Sequence, residues 1–489
     1  MASADDALEP YTPIADIPTI HAALRATFRT GRTAPLAWRQ HQLRQLARFL
    51  KENKDALAAA LHADLRKPLL ETTMGEIVPV YERALESAER LEAWCAPEDI
   101  REKGREWQLG WGVRVERKAK GVVLIIAPWN YPVVLSLQPL YGAIAAGCCA
   151  LLKLSELAPH YASFIARNLG KYVDPGCFRV ALGGVPEITA ILELKWDHIF
   201  YTGNGRVARI IATAAARHLT PLTLELGGKS PVIVDASADI ARAARRILWG
   251  KTTNCGQICV APDYVLAERA IVPELVAALQ ATLAEFYPEG ALNSASYGRI
   301  VSDLHFERLK GLIGRTKGTV VAGGEMRAGE RGIAPTVVVN VRAGDALLEG
   351  ENFGPILPIV TVDSVDDAIE YINEHDHPLV LYLFTTDEAT KAKVLERTTS
   401  GNACINDTLN QLSLDHLPFG GVGESGYGRQ VLYASFANFV YPRGVADIPY
   451  EEEPLFAARY APYKPESVAF FAQGLDTPIP PSTNPAVGA

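Results

Sequence analysis

Two thiols four residues apart, in Asn254-Cys255-Gly256-Gln257-Ile258-Cys259-Val260-Ala261-Pro262, are the residues of this chain best suited to covalent chemistry. A cysteine sulfur attacks carbonyl carbon as its thiolate and needs a base or a charge nearby to make that form. If Cys259 follows a tight Gly256-Gln257 turn and precedes Pro262, its sulfur projects from a loop into a cleft. Its own backbone N–H is then free to polarise an oxygen, while Cys255 points elsewhere. Most free cysteines are small buried hydrophobes, and the pair alone leaves that reading open.

Three further stretches carry groups that such a thiol would need. Glu225 lies between two leucines and ahead of Gly227-Gly228, a setting that desolvates a carboxyl and raises its pKa toward that of a general base. Asn130, in Pro128-Trp129-Asn130-Tyr131-Pro132, is an amide on a rigid turn, suited to donate to a developing oxyanion, though a turn asparagine reads the same way. Gly203-Asn204-Gly205-Arg206-Val207-Ala208 follows a strand and fits the dinucleotide-binding pattern GxGxx[GA], which is weak alone. The ribose acid of that pattern is either Glu225, twenty residues past Gly205, or Glu156, which ends an earlier strand beside Lys153. The residues alone leave these two readings in competition.

These groups need a scaffold, and the chain is long enough to supply one. Its 489 residues, 48% hydrophobic and 21% charged, suit two or three domains with full cores. A net charge of -8 without any Lys/Arg-rich run gives no footing for nucleic acid, so the expected partner is a small molecule. Seven cysteines, odd in number, widely spread and without paired CxxC sets, suit a reducing compartment and suggest no metal site. The N-terminus lacks the cationic start and apolar run of a signal peptide, which makes the cytoplasm the default address. No apolar window reaches the roughly 18 residues of a membrane span. The segment after Gly444 carries eight prolines and reads as an extended surface arm, partly disordered from Pro478.

Periodicity places the motifs. Leu43, Leu46, Leu50, Leu57 and Leu61 recur at helical spacing in an α-rich opening that runs to about Trp94. Alternation from Trp107 to Lys120 reads as a two-stranded ribbon, of a kind that often reaches a neighbouring subunit. Short apolar runs at 122–127, 149–152, 178–182 and 198–201 each precede a helical pattern, which implies βαβ units and a parallel sheet. Ligands bind beyond the carboxyl ends of such strands, where the turns holding Asn130, Lys153 and Gly203 fall. A second α/β pattern runs from Val232 through a helix over 239–249 to a strand at Tyr264, with later units at 366–373 and 379–385.

Taken together, these stretches resemble the hallmark motifs of the aldehyde dehydrogenase superfamily. They are 128–132, 224–231, 254–262, Glu351-Asn352-Phe353-Gly354-Pro355, and Leu417-Pro418-Phe419-Gly420-Gly421-Val422-Gly423-Glu424-Ser425-Gly426, in family order across about residues 20 to 445. The short N-terminal lead and the run from Cys259 to Tyr264 are most similar to the class-3, fatty-aldehyde type branch. The resemblance implies an α/β fold of two Rossmann-like domains with a small β-ribbon for oligomerisation. The cofactor-binding domain would take 15–106 and 121–224, the catalytic domain 225–426, the ribbon 107–120 and 427–445, and the Pro-rich tail 446–489.

It also implies roles. Cys259 matches the nucleophile, Glu225 the general base, and Asn130 with the Cys259 backbone N–H the oxyanion hole. Lys153 and Glu156 match contacts to the adenosine ribose of NAD, with NADP as the possible alternative. Gly203, Asn204 and Gly205 match the turn near the pyrophosphate, Glu351 the nicotinamide-ribose ligand and Phe353 a neighbour of the nicotinamide. The implied activity is NAD(P)+-dependent oxidation of apolar aldehydes, medium- or long-chain aliphatic or aromatic, to carboxylic acids through a Cys259 thiohemiacetal and thioester, in a homodimer. The branch often carries a C-terminal membrane anchor, and from its Pro-rich tail this chain is expected to have no transmembrane anchor. Coenzyme A acylation, esterase activity, or an idle binding protein on the same fold are the alternatives. Three departures from the pattern stand out: Leu154 for a proline, which should loosen its turn, Ala208 for a glycine, and Gln430-Val431-Leu432-Tyr433 for the branch's Tyr-His-Gly-Lys. The last lies in a segment resembling one near the substrate mouth, so the branch's aldehyde preference does not carry over.

Overall fold

The computed structural model describes residues 8–480. The first residues, where no signal peptide is expected, and the tail beyond 480, where disorder is expected, lie outside the described residues. The chain forms two compact units, one of residues 8–94 and 118–441, the other of 95–117 and 442–480.

Among its described residues the larger unit holds two large sheets and a two-strand pair, Met326–Arg327 with Gly332–Ile333. The first has six strands in the order Gly426–Tyr427, Leu222–Leu226, His198–Gly203, Val122–Ile126, Cys149–Lys153, Phe178–Ala181. All pair in parallel except Gly426–Tyr427, which runs antiparallel on the edge. Val122 to Ile125 are wholly buried, as expected of a strand covered by helices on both faces. Chain order reverses between Val122–Ile126 and His198–Gly203, so the crevice for a ligand opens past Ile126 and Gly203. The second sheet has seven strands in the order Thr319–Ala322, Thr336–Val339, Ile356–Val362, Tyr264–Glu268, Pro231–Val234, Val380–Phe384, Asn402–Ile405. It too is parallel apart from its Thr319–Ala322 edge.

The five leucines that marked the helical opening lie on two of its helices, Leu36–Glu52 and Lys54–Leu65, parted at Asn53. Helix Pro132–Ala146 begins on a proline whose missing N–H costs nothing at that position. Tyr433–Asn438, expected in the ribbon, is a helix packed on Pro132–Ala146: a Cβ on Gly142 would meet Ser435 O at 2.7 Å.

The smaller unit carries a three-stranded sheet in the order Glu98–Asp99, Gly112–Ala119, Val440–Asp447. The two-stranded ribbon expected over 107–120 is therefore one strand, and 106–108 is a turn of 3-10 helix. The alternation there records a single strand whose partners come from elsewhere in the chain. The described part of the tail is not extended throughout: Glu453–Phe456 and Pro465–Ala472 are helices, with Pro454 and Pro465 in their first turns, where proline favours a helix. No described helix is long and apolar enough to cross a membrane.

Candidate active site

Cys259 lies on the loop that joins helix Ile240–Thr252 to strand Tyr264–Glu268. Three successive residues in that loop, Asn254 (φ 49°), Cys255 (φ 55°) and Gly256 (φ 70°), adopt left-handed backbone. For Asn254 and Cys255 this costs on the order of 1 kcal/mol each. Side-chain bonds hold the turn: Asn254 Nδ2 donates to Asn130 O at 3.0 Å and to Gln257 O at 3.1 Å, and Asn254 N–H donates to Glu71 Oε2 at 2.8 Å. Gly256 is required by contact as well as by φ, since a Cβ there would meet Gly354 O at 2.3 Å. The turn sends the two sulfurs apart. Cys255 is buried in the core beside Tyr297 and Leu292, while Cys259 is half-buried and lines a cavity of about 320 Å³.

That cavity is mainly apolar, with Val78, Leu135, Trp249, Leu412, Phe419 and Val431 in its wall. Asn130 shares it with Cys259. One Asn130 amide hydrogen goes to Gln257 O at 3.1 Å, and an amide nitrogen carries a second. The Asn130 turn is fixed from behind by groups that no sequence motif marked. Lys67 Nζ donates to Asn130 O at 2.8 Å and to Glu76 Oε1 at 2.5 Å, and lies 3.8 Å above the Tyr131 ring. Glu76 Oε2 accepts the N–H of Val133 and of Val134 at the start of helix Pro132–Ala146. The lysine and its acid are nine residues apart in the chain and lack any local signature.

Burial pushes the Cys259 thiol up to about 12, with the charges of Glu351 and Glu225 adding to the rise. The backbone N–H groups of Cys259 and Val260 pull the other way. Glu225 sits at the carboxyl end of its strand, in register with Thr202 and Gly426. It is 2% exposed, and neither carboxylate oxygen has a hydrogen-bond partner. Burial therefore holds this carboxyl well above the usual range, opposed by the Arg429 charge. An unpaired buried carboxyl next to a half-buried thiol is costly to a fold, and such sites concentrate where chemistry is done. Glu351 reaches the same region. It lies so close over Gly227 that a Cβ there would meet Glu351 Oε2 at 2.4 Å, and burial then the Asp263 charge raise its pKa to about 8.

The remaining residues lie on the carboxyl ends of the first sheet. Lys153 pairs in register with Ile126, which pairs with Tyr201 on its other side, two residues before Gly203. Lys153 Nζ donates to Leu154 O at 2.6 Å and lies 3.6 Å from Glu156 Oε2, whose side chain is 40% exposed. The backbone turn around Leu154 is thus tied by the lysine itself. Asn204 caps helix Gly205–Ala216, its side chain accepting from Val207 N at 3.0 Å, and no acid stands in the first turn. Phe353 meets Trp129 edge-on, with ring centres 5.5 Å apart. A helix start without acids, a lysine–glutamate pair at a strand end and an acid above a glycine are of a kind that can take a dinucleotide. Lys251, which no sequence motif marked, is a buried lysine with no hydrogen-bond partner, whose pKa burial lowers to about 8 and which Asp263 and Glu351 partly restore.

Residues 11–445 match the model of the aldehyde dehydrogenase family. The chain belongs to that family. The mouse "aldehyde dehydrogenase family 3 member B2" is 44% identical over 91% of this chain and 92% of its own length. The dog "aldehyde dehydrogenase, dimeric NADP-preferring" is 42% identical over 90% of this chain and 96% of its own. A solved structure of the Staphylococcus aureus enzyme AldH in a substrate-bound state superposes with a TM-score of 0.89 at 36% identity, covering 94% of this chain and 99% of that one. The dehydrogenase is accordingly an NAD(P)-dependent enzyme of the class-3 branch, built on the α/β fold expected of it.

Proposed function

We propose that this dehydrogenase oxidises apolar aldehydes, medium- or long-chain aliphatic or aromatic, to free carboxylic acids, with Cys259 as nucleophile. The single observation that carries this reading is the mainly apolar cavity lined in part by Cys259 and Asn130. Cys259 gives up its thiol proton to water as its sulfur adds to the carbonyl carbon, and the Asn130 amide with the Cys259 backbone N–H receives the developing oxyanion. NAD(P)+, if held there, would supply the acceptor for the hydride that the thiohemiacetal carbon on Cys259 must lose to become a thioester. Glu225 takes a proton from water, which attacks the thioester and releases the acid. A coenzyme A-acylating enzyme has no need of that base, so an unpaired buried carboxyl supports the free acid as product.

Lys153, Glu156, Gly203, Asn204, Gly205, Glu351 and Phe353 are the residues that would hold the cofactor, with 15–106 and 121–224 as its domain and 225–426 as the catalytic one. Glu156 repels a 2′-phosphate and favours NAD+, while Lys153 beside it leaves NADP+ usable. The strand pairing of the smaller unit and the name of the dog relative support a homodimer, and the free cysteines support a cytoplasmic enzyme. Aldehyde-dependent NAD+ reduction by wild type, Cys259→Ala and Cys255→Ala tests the reading. Turnover should vanish only in Cys259→Ala; its survival there and loss in Cys255→Ala would overturn the assignment.

A further inference from the structure

One wall of the apolar cavity carries a polar chain whose direction is fixed. Arg83, 5% exposed, donates from Nε to Asp415 Oδ1 at 2.8 Å, from Nη2 to Leu412 O at 2.7 Å and from Nη1 to Gln138 Oε1 at 2.8 Å. A guanidinium has donors only, so the Gln138 amide must turn its oxygen to Arg83 and its nitrogen away. Gln138 Nε2 then donates to Gln430 Oε1 at 2.8 Å. Gln430 is in turn obliged to keep its oxygen toward Gln138, which leaves its Nε2 hydrogens for the cavity. The Gln430 backbone is pinned on both sides, N–H to Phe419 O at 2.7 Å and O to Phe419 N–H at 3.0 Å. The residue is 2% exposed and lines the same cavity as Cys259. Its amide nitrogen is thus an oriented donor on a mainly apolar cavity wall that also carries Arg83, Gln138 and Asp415, whose bonds to one another and to Leu412 O are already made.

We propose that Gln430 is a specificity-determining residue, and that the preferred aldehyde carries one hydrogen-bond acceptor on its apolar body, placed to receive the Gln430 Nε2 donor. This rests on the reading of the cavity as the aldehyde site. A buried site built to bond a polar group discriminates against the analogue lacking it, because the site's own donor is then left unpaired. A plain hydrocarbon chain lies against Nε2 without accepting from it.

The test compares kcat/KM for nonanal with that for its analogues in which an ether oxygen replaces one methylene at successive positions along the chain. Each oxygen is an acceptor in a chain of nearly unchanged shape. Wild type should show one favoured oxygen position relative to its neighbours. In Gln430→Met that preference should fall on the order of tenfold relative to nonanal, the factor one such bond carries. Taking the ratio cancels any loss common to all substrates. Gln138→Met, which frees the Gln430 amide to turn, should lower the same preference and serves if Gln430→Met does not fold. A flat profile in wild type, or a preference unchanged in both variants, would overturn the role of Gln430 while leaving aldehyde oxidation standing. A wild-type enzyme that oxidises neither nonanal nor any analogue would overturn the cavity reading itself.

Discussion

Glu225 shows at the scale of one residue how burial sets a chemical role. Its carboxyl is raised by desolvation, so it is protonated at acid pH and becomes a base only as pH climbs above the ordinary carboxylate range. Deacylation, and with it kcat, should therefore rise with pH along a limb displaced above about 4.5. Glu225→Gln should keep a burst of one reduced cofactor per active site and lose steady turnover by a factor of about 10² or more. Rapid-mixing absorbance of the reduced cofactor reads both, and normal turnover would remove Glu225 from the role of base. The carboxyl's desolvation was legible in the flanking leucines and glycines, because those residues bring no charge or donor to it. The choice between Glu225 and Glu156 as ribose acid was not, since spacing along the chain cannot say which strand ends face which ligand. The structure puts Glu156 beside Lys153 and Glu225 near Cys259.

Among the elements, helix Pro132–Ala146 and the loop before it depend on a buried ion pair. Lys67 and Glu76 have fully buried side chains, and between them they hold the Asn130 carbonyl and two amides of the helix start. Replacing one partner strands the other charge, which typically costs about 3–5 kcal/mol, whereas replacing both with apolar residues costs less. Glu76→Gln should lower unfolding free energy in denaturant by about that amount, and Lys67→Met/Glu76→Leu by less than the two single changes summed. A neutral Glu76→Gln would contradict the account. Apolar runs and helical periods made part of both sheets legible, because strands buried on two faces must be apolar throughout, but Thr319–Ala322, Thr336–Val339, Ile356–Val362 and Asn402–Ile405 of the second sheet were not among the strands expected. The ribbon was legible only by half: alternation over 112–119 marks a strand, but of its two partners Glu98–Asp99 is only two residues long and Val440–Asp447 lies far along the chain, with Arg443 bonding Glu116 across 327 positions. Strand pairing of that range has no local signal. Prolines in the tail suggested extension, yet two of them open helices.

For the whole molecule, the proposal is a homodimer whose active sites work by the same thioester chemistry. Light scattering with in-line chromatography should give a mass near twice 53.0 kDa, and a monomer at all concentrations would contradict the dimer. The chemistry has a more direct test. Glu225→Gln protein mixed with nonanal and NAD+ should stall with the acyl group on sulfur, so intact-mass spectrometry should show one acyl addition per chain. Peptide mapping should place it on Cys259. An adduct on Cys255, or aldehyde oxidation with no acyl addition at any cysteine, would contradict the account.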